Sequence, residues 1–223
     1  MSGPIEDGVW PDQLTAHVTD SGSEPRLHGY AVESDLAVHY SFPELCLLAL
    51  TGELPSERQA HAFGVALSFL SGASVAEAPL HAARLSRVCG ATSSGTIGVA
   101  AIGLAEQARH LLAEHAELLA WLGGDTGPFP ERHLATSARE VASVERLGAA
   151  LGEPVRGLCE NPSRRAALIC VLWSAGLRSP ASLELAWTLA RLPVTFAEAR
   201  AVAPASLRDY PMNTPPFVYE PPT

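Results

Sequence analysis

The chain has 223 residues and a formal net charge of −9, and apolar residues make up 47% of it. This length fits one good-sized domain, or one domain with a small appendage, and the apolar content is too high for a disordered chain. The negative charge argues against nucleic acid as a partner, because phosphate binding requires clustered positive charge. No apolar stretch of about 18 residues is free of charged residues, Gly and Pro, so no membrane span is predicted.

The first ten residues, MSGPIEDGVW, are acidic and lack the basic-then-apolar order of a signal peptide, so a cytoplasmic location is expected. The four cysteines are scattered and form no CxxC pair, so no metal site is predicted. All 15 basic residues are arginine. Because lysine is absent, Schiff-base catalysis and a P-loop lysine are both excluded.

In chain order, residues 1–30 are rich in Gly, Pro, Asp and Ser and predict an extended N-terminal arm. Helical signals dominate from residue 31 to 203. The first is a capping box formed by Ser41 and Glu44. Further helices are predicted at 56–70, 76–89, 95–122, 134–152, 162–176 and 180–201, and Asn161 is the expected N-cap of the helix at 162–176.

The helix predicted at 95–122 is rich in small residues, which favour close helix packing. It is apolar nearly all round, so burial in a core or in a dimer interface is expected. The tail, 204–223, contains six prolines and is expected to be extended. No strand alternation is found, so the predicted fold class is all-α without significant sheet.

Four blocks, in this order, resemble the citrate synthase family, which includes methylcitrate synthases and citryl-CoA lyases. The first block comprises 26–30 (RLHGY), 40–45 (YSFPEL) and 50–55 (LTGELP). The others are 82–104, beginning AAR and ending AAIGL, then 161–177, beginning NPS, and finally 190–193 (ARLP) with the tail segment 215–219. The resemblance implies a citrate-synthase-like large-domain helical core at 31–203, with the family's small domain deleted around 111–140.

Members of this family join acetyl-CoA to oxaloacetate, or split citryl-CoA, by removing a proton next to a thioester carbonyl. The resemblance places His110 at a family histidine that polarises the oxo acid, and Arg191 at a family arginine that binds a substrate carboxylate. His110 is therefore the candidate catalytic residue, and Arg191 and His81 are candidate substrate-binding residues. No cofactor is implied, and acetyl-CoA or another acyl-CoA would be a substrate. A buried Arg191 needs a partner, either a bound anion or an internal glutamate.

Parts of the family's reaction centre are missing. The first family histidine falls on Ser74, and His81, seven residues later and about 10 Å along a helix, does not simply replace it; an ordinary helix-face histidine is its alternative interpretation. Helix-forming residues at 106–112 replace the family's glycine-rich turn, so the helix should continue past His110. The Gly-His…Asp-Pro-Arg segment is absent, and Thr214 stands where the family has a C-terminal arginine.

Three functions are compatible with this pattern. The first is a non-catalytic or regulatory protein that forms a homodimer and keeps binding of an oxo acid or another small carboxylate. The second is an active enzyme, either an acyltransferase of the citrate synthase type or a citryl-CoA lyase, with a rewired site or a full-length homologue as partner in a hetero-oligomer. The third is a structural dimerisation module. The first is favoured, because the resemblance places the family's general base in the missing Gly-His…Asp-Pro-Arg segment. General base catalysis alone contributes about 10²–10⁴-fold in rate.

Overall fold

The structure, a computed structural model, describes residues 13–124, 127–153, 155 and 161–209. The chain divides into two compact units, one up to Pro55 and one from Ser56 onward. Helices dominate these described residues, and the sheet in them has three strands of two residues each. The predicted all-α class is therefore confirmed. The Thr214 position and the tail segment 215–219 lie outside the described residues, as do the first twelve residues of the arm.

The first unit contains a small antiparallel sheet of β1 (Thr19–Asp20), β2 (Arg26–Leu27) and β3 (Tyr30–Ala31), in the order β1-β2-β3. Strands β2 and β3 are joined by a two-residue turn whose members, His28 and Gly29, both have positive φ, at 48° and 87°. Such a turn matches the right-handed twist of a hairpin. The sheet was not predicted, because two-residue strands leave no alternating pattern in the sequence.

After the sheet, a π-helical turn (Val32–Leu36) leads into α1 (Ala37–His39), and α2 (Phe42–Thr51) completes the first unit. The predicted capping box of α2 is confirmed. The backbone N–H of Ser41 and its hydroxyl both donate to the carboxylate of Glu44, at 2.7 and 2.6 Å. Gly52 ends α2 in the left-handed conformation typical of a helix C-terminus.

The second unit is built from seven helices within the described residues. They are α3 (Glu57–Leu70), α4 (Ala78–Val88), α5 (Ser93–Glu114), α6 (Ala116–Leu122), α7 (Ala138–Leu151), α8 (Arg164–Ser174) and α9 (Pro180–Arg200), with short 3-10 turns at Glu131–His133 and Leu207–Asp209. Helices α4, α5 and α9 pack against one another, and α8 packs against α3 and α7. No helix among the described residues combines the length and apolar character needed to cross a membrane.

Small residues allow α4, α5 and α9 to approach closely. Ala83, Ala100 and Ala199, one from each helix, are completely buried together. On α5, a Cβ added at Gly103 would lie only 3.2 Å from the Cα of Pro79 on α4. The close packing predicted for the small-residue helix is therefore present.

The helix predicted at 95–122 is two helices, and α5 and α6 meet at His115. The imidazole Nδ1 of His115 bonds to the carbonyl oxygen of Leu111 at 2.8 Å, while its backbone N–H donates to Leu112 at 3.1 Å. A side chain that bonds to a carbonyl one turn back competes with the helical backbone hydrogen bond. This competition explains a break that hydrophobic periodicity does not show.

The predicted N-cap of the helix at 162–176 is wrong. The cap is Ser163, whose hydroxyl accepts from the backbone N–H of Ala166 at 3.3 Å, and the helix begins at Arg164. Asn161 has a positive φ of 43°, and its carbonyl accepts from the N–H of Ala135 at 3.0 Å. The backbone of Asn161 is thus paired with a neighbouring segment, and the helix is capped two residues later.

Candidate functional site

A cavity of about 490 Å³ in the second unit brings His110 and Arg191 together. We call it the central cavity. Its polar lining is contributed by Glu77, by Gln107, His110 and Glu114 of α5, by Arg164 and Arg165 of α8, and by Arg191 of α9. Its volume lies in the range typical of small-molecule sites.

Arg191 is 7% exposed, and its guanidinium group is held by three partners. Nη1 donates to Oε1 of Gln107 at 2.6 Å, and Nη2 donates to the carbonyl oxygen of Gly72 at 3.1 Å and to Oε2 of Glu77 at 2.6 Å. Its Nε is buried without a hydrogen-bond partner among the described residues. Of the two alternatives expected for Arg191, the structure therefore has an internal glutamate.

Glu77, which immediately precedes α4, is held from both sides. Besides Arg191, it accepts from Nε2 of Gln107 at 3.1 Å and from the backbone N–H of Ser74 at 3.2 Å. Burial opposes its ionisation, but the hydrogen bonds from Arg191 and Gln107 and the charge of Arg191 together lower its pKa. The carboxylate is thus ionised at neutral pH. Its side chain is 32% exposed, so solvent reaches it.

His110 lies one helical turn before Glu114 on α5, and the Nε2 of its imidazole is 3.4 Å from Oε1 of that glutamate. Both side chains are largely exposed, His110 to 76%. The helix continues through both residues, which confirms that α5 runs on where helix-forming residues replace a glycine-rich turn. The catalytic role of His110 stays a prediction.

The structure does not bring His81 to the central cavity. It is half-buried on α4 and is not among the described residues that line this cavity. Ser74, at the family's first histidine position, lines a neighbouring cavity, and its hydroxyl accepts from the backbone N–H of Ala76 at 3.3 Å. The binding roles of His81 and Arg191 both stay predictions.

A second cavity, of about 640 Å³, adjoins the central cavity. We call it the arginine cavity, because Arg139 and Arg146 of α7 line it together with Arg164 and Arg165 of α8. The sequence motifs did not single out these arginines. A signal exists in hindsight: Arg139 and Arg146 are seven residues apart, which places them on one face of a helix. Glu77 and Gln107 were missed because only the folded chain brings them to Arg191.

Two buried imidazoles lie beside these cavities. The rings of His115 and His133 are stacked with their centroids 4.5 Å apart, and Arg132 donates from Nε to Nε2 of His133 at 3.2 Å. Burial lowers the pKa of both rings, and the positive charges of neighbouring arginines add to the effect. In the described residues, no group of three or more His, Cys, Asp or Glu side chains is arranged to hold a metal ion.

Comparison with solved structures identifies this helical arrangement. Citryl-CoA lyase from Hydrogenobacter thermophilus is similar with a TM-score of 0.62 and 17% identity, over 93% of this chain and 97% of that one. An ATP citrate lyase variant from Methanosaeta concilii, in complex with (3S)-citryl-CoA, is similar with a TM-score of 0.58 and 13% identity, over 98% of this chain. ATP citrate lyase from Methanothrix soehngenii, in complex with citrate and coenzyme A, gives a TM-score of 0.59 and 12% identity, over 98% of this chain.

The chain spans 43% of the length of each of the two ATP citrate lyases. Neither a protein-family model nor a curated protein sequence matches it. At these low identities the structural similarity concerns the fold alone. The chain therefore has a citrate-synthase-like fold, which confirms at the level of the fold the resemblance that its sequence motifs indicate.

Proposed function

We propose that the protein is a non-catalytic member of this fold that binds a small carboxylate in the central cavity. The observation that supports the proposal most directly is the ion pair of Arg191 with Glu77, at 2.6 Å. Arginine at this position holds a carboxylate, but the carboxylate comes from the chain itself. A ligand such as citrate or oxaloacetate would take the place of the Glu77 carboxylate on Arg191.

Several features support such an exchange. Glu77 is partly exposed and follows residues 71–74, which form no helix, so its side chain is able to move without unfolding α4. Arg164 and Arg165 also line the cavity and supply further guanidinium groups. Guanidinium groups bind carboxylates through paired, charge-assisted hydrogen bonds. A multiply charged carboxylate would therefore have more than one arginine available.

The same geometry argues against citrate synthase chemistry. That reaction needs a general base whose pKa lies near the working pH. Glu77 is the partly buried carboxylate of the central cavity, and its lowered pKa makes it a weak base. Glu114 is half-exposed and lies beside the imidazole of His110. Neither carboxylate is placed in the dry, preorganised environment that favours proton abstraction.

Glu77→Gln tests the proposal. The variant removes the internal carboxylate from Arg191, so we expect citrate, measured by isothermal titration calorimetry, to bind at least about tenfold more tightly than to the original protein. Glu114→Gln is the matched control, because it makes the same change of charge in the same cavity without freeing an arginine. This control should change the affinity for citrate by at most about twofold to threefold.

His110→Gln supplies a second variant, since this residue lines the central cavity and not the arginine cavity. It should weaken citrate binding, because the imidazole is replaced by an amide whose hydrogen-bond donors lie at different positions in the cavity. The proposal is wrong if citrate and oxaloacetate fail to bind both the original protein and Glu77→Gln. It is also wrong if the two glutamate variants change the affinity equally.

An active enzyme is the second candidate function, either an acyltransferase of the citrate synthase type or a citryl-CoA lyase with a rewired site. The observation that favours it is the presence of His110, Glu114 and Arg191 in one cavity. A full-length homologue could supply the missing part of the site in a hetero-oligomer. Thiol release from acetyl-CoA with oxaloacetate, lost in His110→Gln, would favour this candidate.

Homodimer formation is also proposed, and dimerisation alone is the third candidate function. The observation in its favour is that α5 and α9 keep large apolar side chains exposed, including Ile102 at 70% and Leu185 at 50%. Exposed apolar side chains mark an interface where they form one patch, and the proposal places those of α5 and α9 in the dimer contact. Sedimentation equilibrium should give twice the chain mass for the original protein and a monomer for Ile102→Glu. Such a dimer without any carboxylate binding would favour the third candidate.

A further inference from the structure

We propose a second anion site, in the arginine cavity, that binds a phosphate chain, either free or at the end of a nucleotide. The cavity is lined by four guanidinium groups, those of Arg139, Arg146, Arg164 and Arg165. Arg139 and Arg146 do not line the central cavity. The two cavities share Arg164 and Arg165, so Arg139 and Arg146 are the arginines that distinguish this site from the proposed carboxylate site. The inference does not depend on that proposal.

The four guanidinium groups of this cavity outnumber the two carboxylates, Glu77 and Glu140, that also line it. In the described part of the chain, the side chains of Arg139, Arg146 and Arg165 form no ion pair and donate no hydrogen bond. The hydrogen bond given for the side chain of Arg164 goes to the carbonyl oxygen of Phe69, at 2.6 Å, and a carbonyl oxygen carries no net charge. Four cationic groups thus face one space in a chain whose net charge is −9.

The two carboxylates of the cavity have other partners. Glu77 is bound to Arg191. Glu140 accepts from the backbone N–H and the hydroxyl of Thr136, at 3.0 and 3.3 Å. The mutual repulsion of the arginines contributes, after burial, to a lowered pKa of Arg164. An anion in the cavity would relieve this repulsion, and a cleft with charges of one sign concentrates oppositely charged ligands.

Helix ends favour phosphate in the same place. Arg139 is the second residue of α7, and Arg164 and Arg165 are the first two residues of α8. The N-terminal ends of helices carry partial positive charge and attract phosphate. A tetrahedral phosphate presents oxygens in several directions, so guanidinium groups from two helices are able to bind one chain together. A planar carboxylate is satisfied by a single bidentate arginine.

Calorimetric titration with pyrophosphate and with ADP tests the site, because both contain a diphosphate. We expect saturable binding of at least one of them by the full chain. Arg139→Gln and Arg146→Gln should each weaken it by about tenfold or more, since a charge-assisted hydrogen bond is lost. Both side chains are exposed and have no ion-pair partner among the described residues, so the variants should fold normally, as checked by circular dichroism.

Arg58→Gln is the matched control. It removes one positive charge at a side chain that is 77% exposed, is bound to Glu153 and does not line the arginine cavity. Its affinity for the diphosphates should be unchanged within about twofold. Tighter binding of ADP than of pyrophosphate would identify a nucleotide as the source of the phosphate chain, and the reverse order would identify a free phosphate.

Three results would overturn the inference. They are no binding of either diphosphate, binding that survives both Arg139→Gln and Arg146→Gln, and equal weakening by Arg58→Gln.

Citrate binding separates this inference from the proposed carboxylate site. Its binding should respond to His110→Gln and Glu77→Gln but not to the two α7 variants. An equal loss of citrate and diphosphate binding in the α7 variants would refute the assignment to phosphate.

Discussion

Among single residues, Arg191 has the environment that affects both stability and function. Its side chain is 8% exposed and is bound to Glu77, whereas the side chain of Arg109 is 66% exposed and is bound to Glu106 at the same distance of 2.6 Å. Distance alone therefore does not distinguish the two ion pairs. Burial does, because loss of one partner from a buried pair leaves an unpaired charge without solvent.

Arg191→Gln should lower the free energy of unfolding by about 2–3 kcal/mol. This estimate lies below the roughly 3–5 kcal/mol typical of a broken buried pair, because the remaining Glu77 is partly exposed. Arg109→Gln, which breaks the exposed pair, should change it by less than about 0.5 kcal/mol. Urea unfolding of both variants measures the difference, and equal destabilisation would contradict the importance given to the Arg191 pair.

The stacked pair of His115 and His133 should make stability depend on pH. Burial lowers the pKa of both rings in the folded protein, so the unfolded chain binds protons more readily around pH 6.5. Stability is then greatest above this pH and falls as the pH is lowered from about 7.5 to 5.5, by up to about 1.4 kcal/mol per unit for each histidine. The negative charges of Glu114 and Glu117 raise the pKa values of these rings and weaken the pH dependence. The positive charges of Arg132 and Arg165 lower the same pKa values and strengthen it.

Urea unfolding at pH 7.5 and at pH 5.5 measures this dependence. His133→Gln removes one titrating ring while keeping an acceptor for Arg132, so the loss of stability between the two pH values should become smaller. His110→Gln is the control, because that ring is 76% exposed and should leave the loss unchanged. Stability that is equal or higher at pH 5.5 in the original protein would contradict the account.

At the level of elements, the junction of α4, α5 and α9 determines how closely the helices pack. Ala100 is completely buried there between Ala83 and Ala199, whereas Ala113, on the same helix, is exposed. Ala100→Leu should destabilise the protein by about 1–3 kcal/mol, because extra methylene groups in a packed core force the helices apart. Ala113→Leu makes the same change at the surface.

Thermal and urea unfolding of these two alanine variants provide the measurement. Ala113→Leu should stay within about 0.5 kcal/mol of the original protein, since both residues are strong helix formers and no core contact changes. If Ala100→Leu were as stable as Ala113→Leu, the three helices would have room for a larger side chain. The importance of small residues at this junction would then be wrong.

Helices with local signals were predicted well. The capping box at Ser41, the helix start at Ser56 and the close packing of the small-residue helix follow from neighbouring residues alone. The break at His115 and the N-cap at Ser163 did not, because each depends on hydrogen bonds made in the folded chain. Asn161 is a good N-cap by type, yet its backbone pairs with Ala135, 26 positions earlier in the chain. Local propensity gives way where a tertiary contact uses the same backbone groups.

The candidate site shows the same division. His110 and Arg191 were found from their positions in the resemblance, and the structure places both at the central cavity. Glu77 and Gln107, which bind Arg191, lie 114 and 84 positions from it in the chain. No local pattern connects residues so far apart. The sequence left an anion and an internal glutamate as equal alternatives for Arg191, and only the folded chain shows that Glu77 reaches it.

Considered as a whole molecule, the chain shares its helical fold with citryl-CoA lyase and with part of two ATP citrate lyases. The three similar structures have at most 17% identity with it, so the helical arrangement tolerates extensive replacement of side chains. A catalytic site does not tolerate such replacement, because proton abstraction depends on a few groups at fixed positions. In the proposed account, the fold and a carboxylate-binding arginine remain, and the proton chemistry is lost.

Thiol release from acetyl-CoA in the presence of oxaloacetate tests this central claim most directly. The assay uses the purified full chain at micromolar concentration, with an active citrate synthase in a parallel sample as positive control. We predict no release above that of the buffer, since loss of general base catalysis alone costs about 10²–10⁴-fold. Sustained release by the original protein that disappears in His110→Gln would contradict the account.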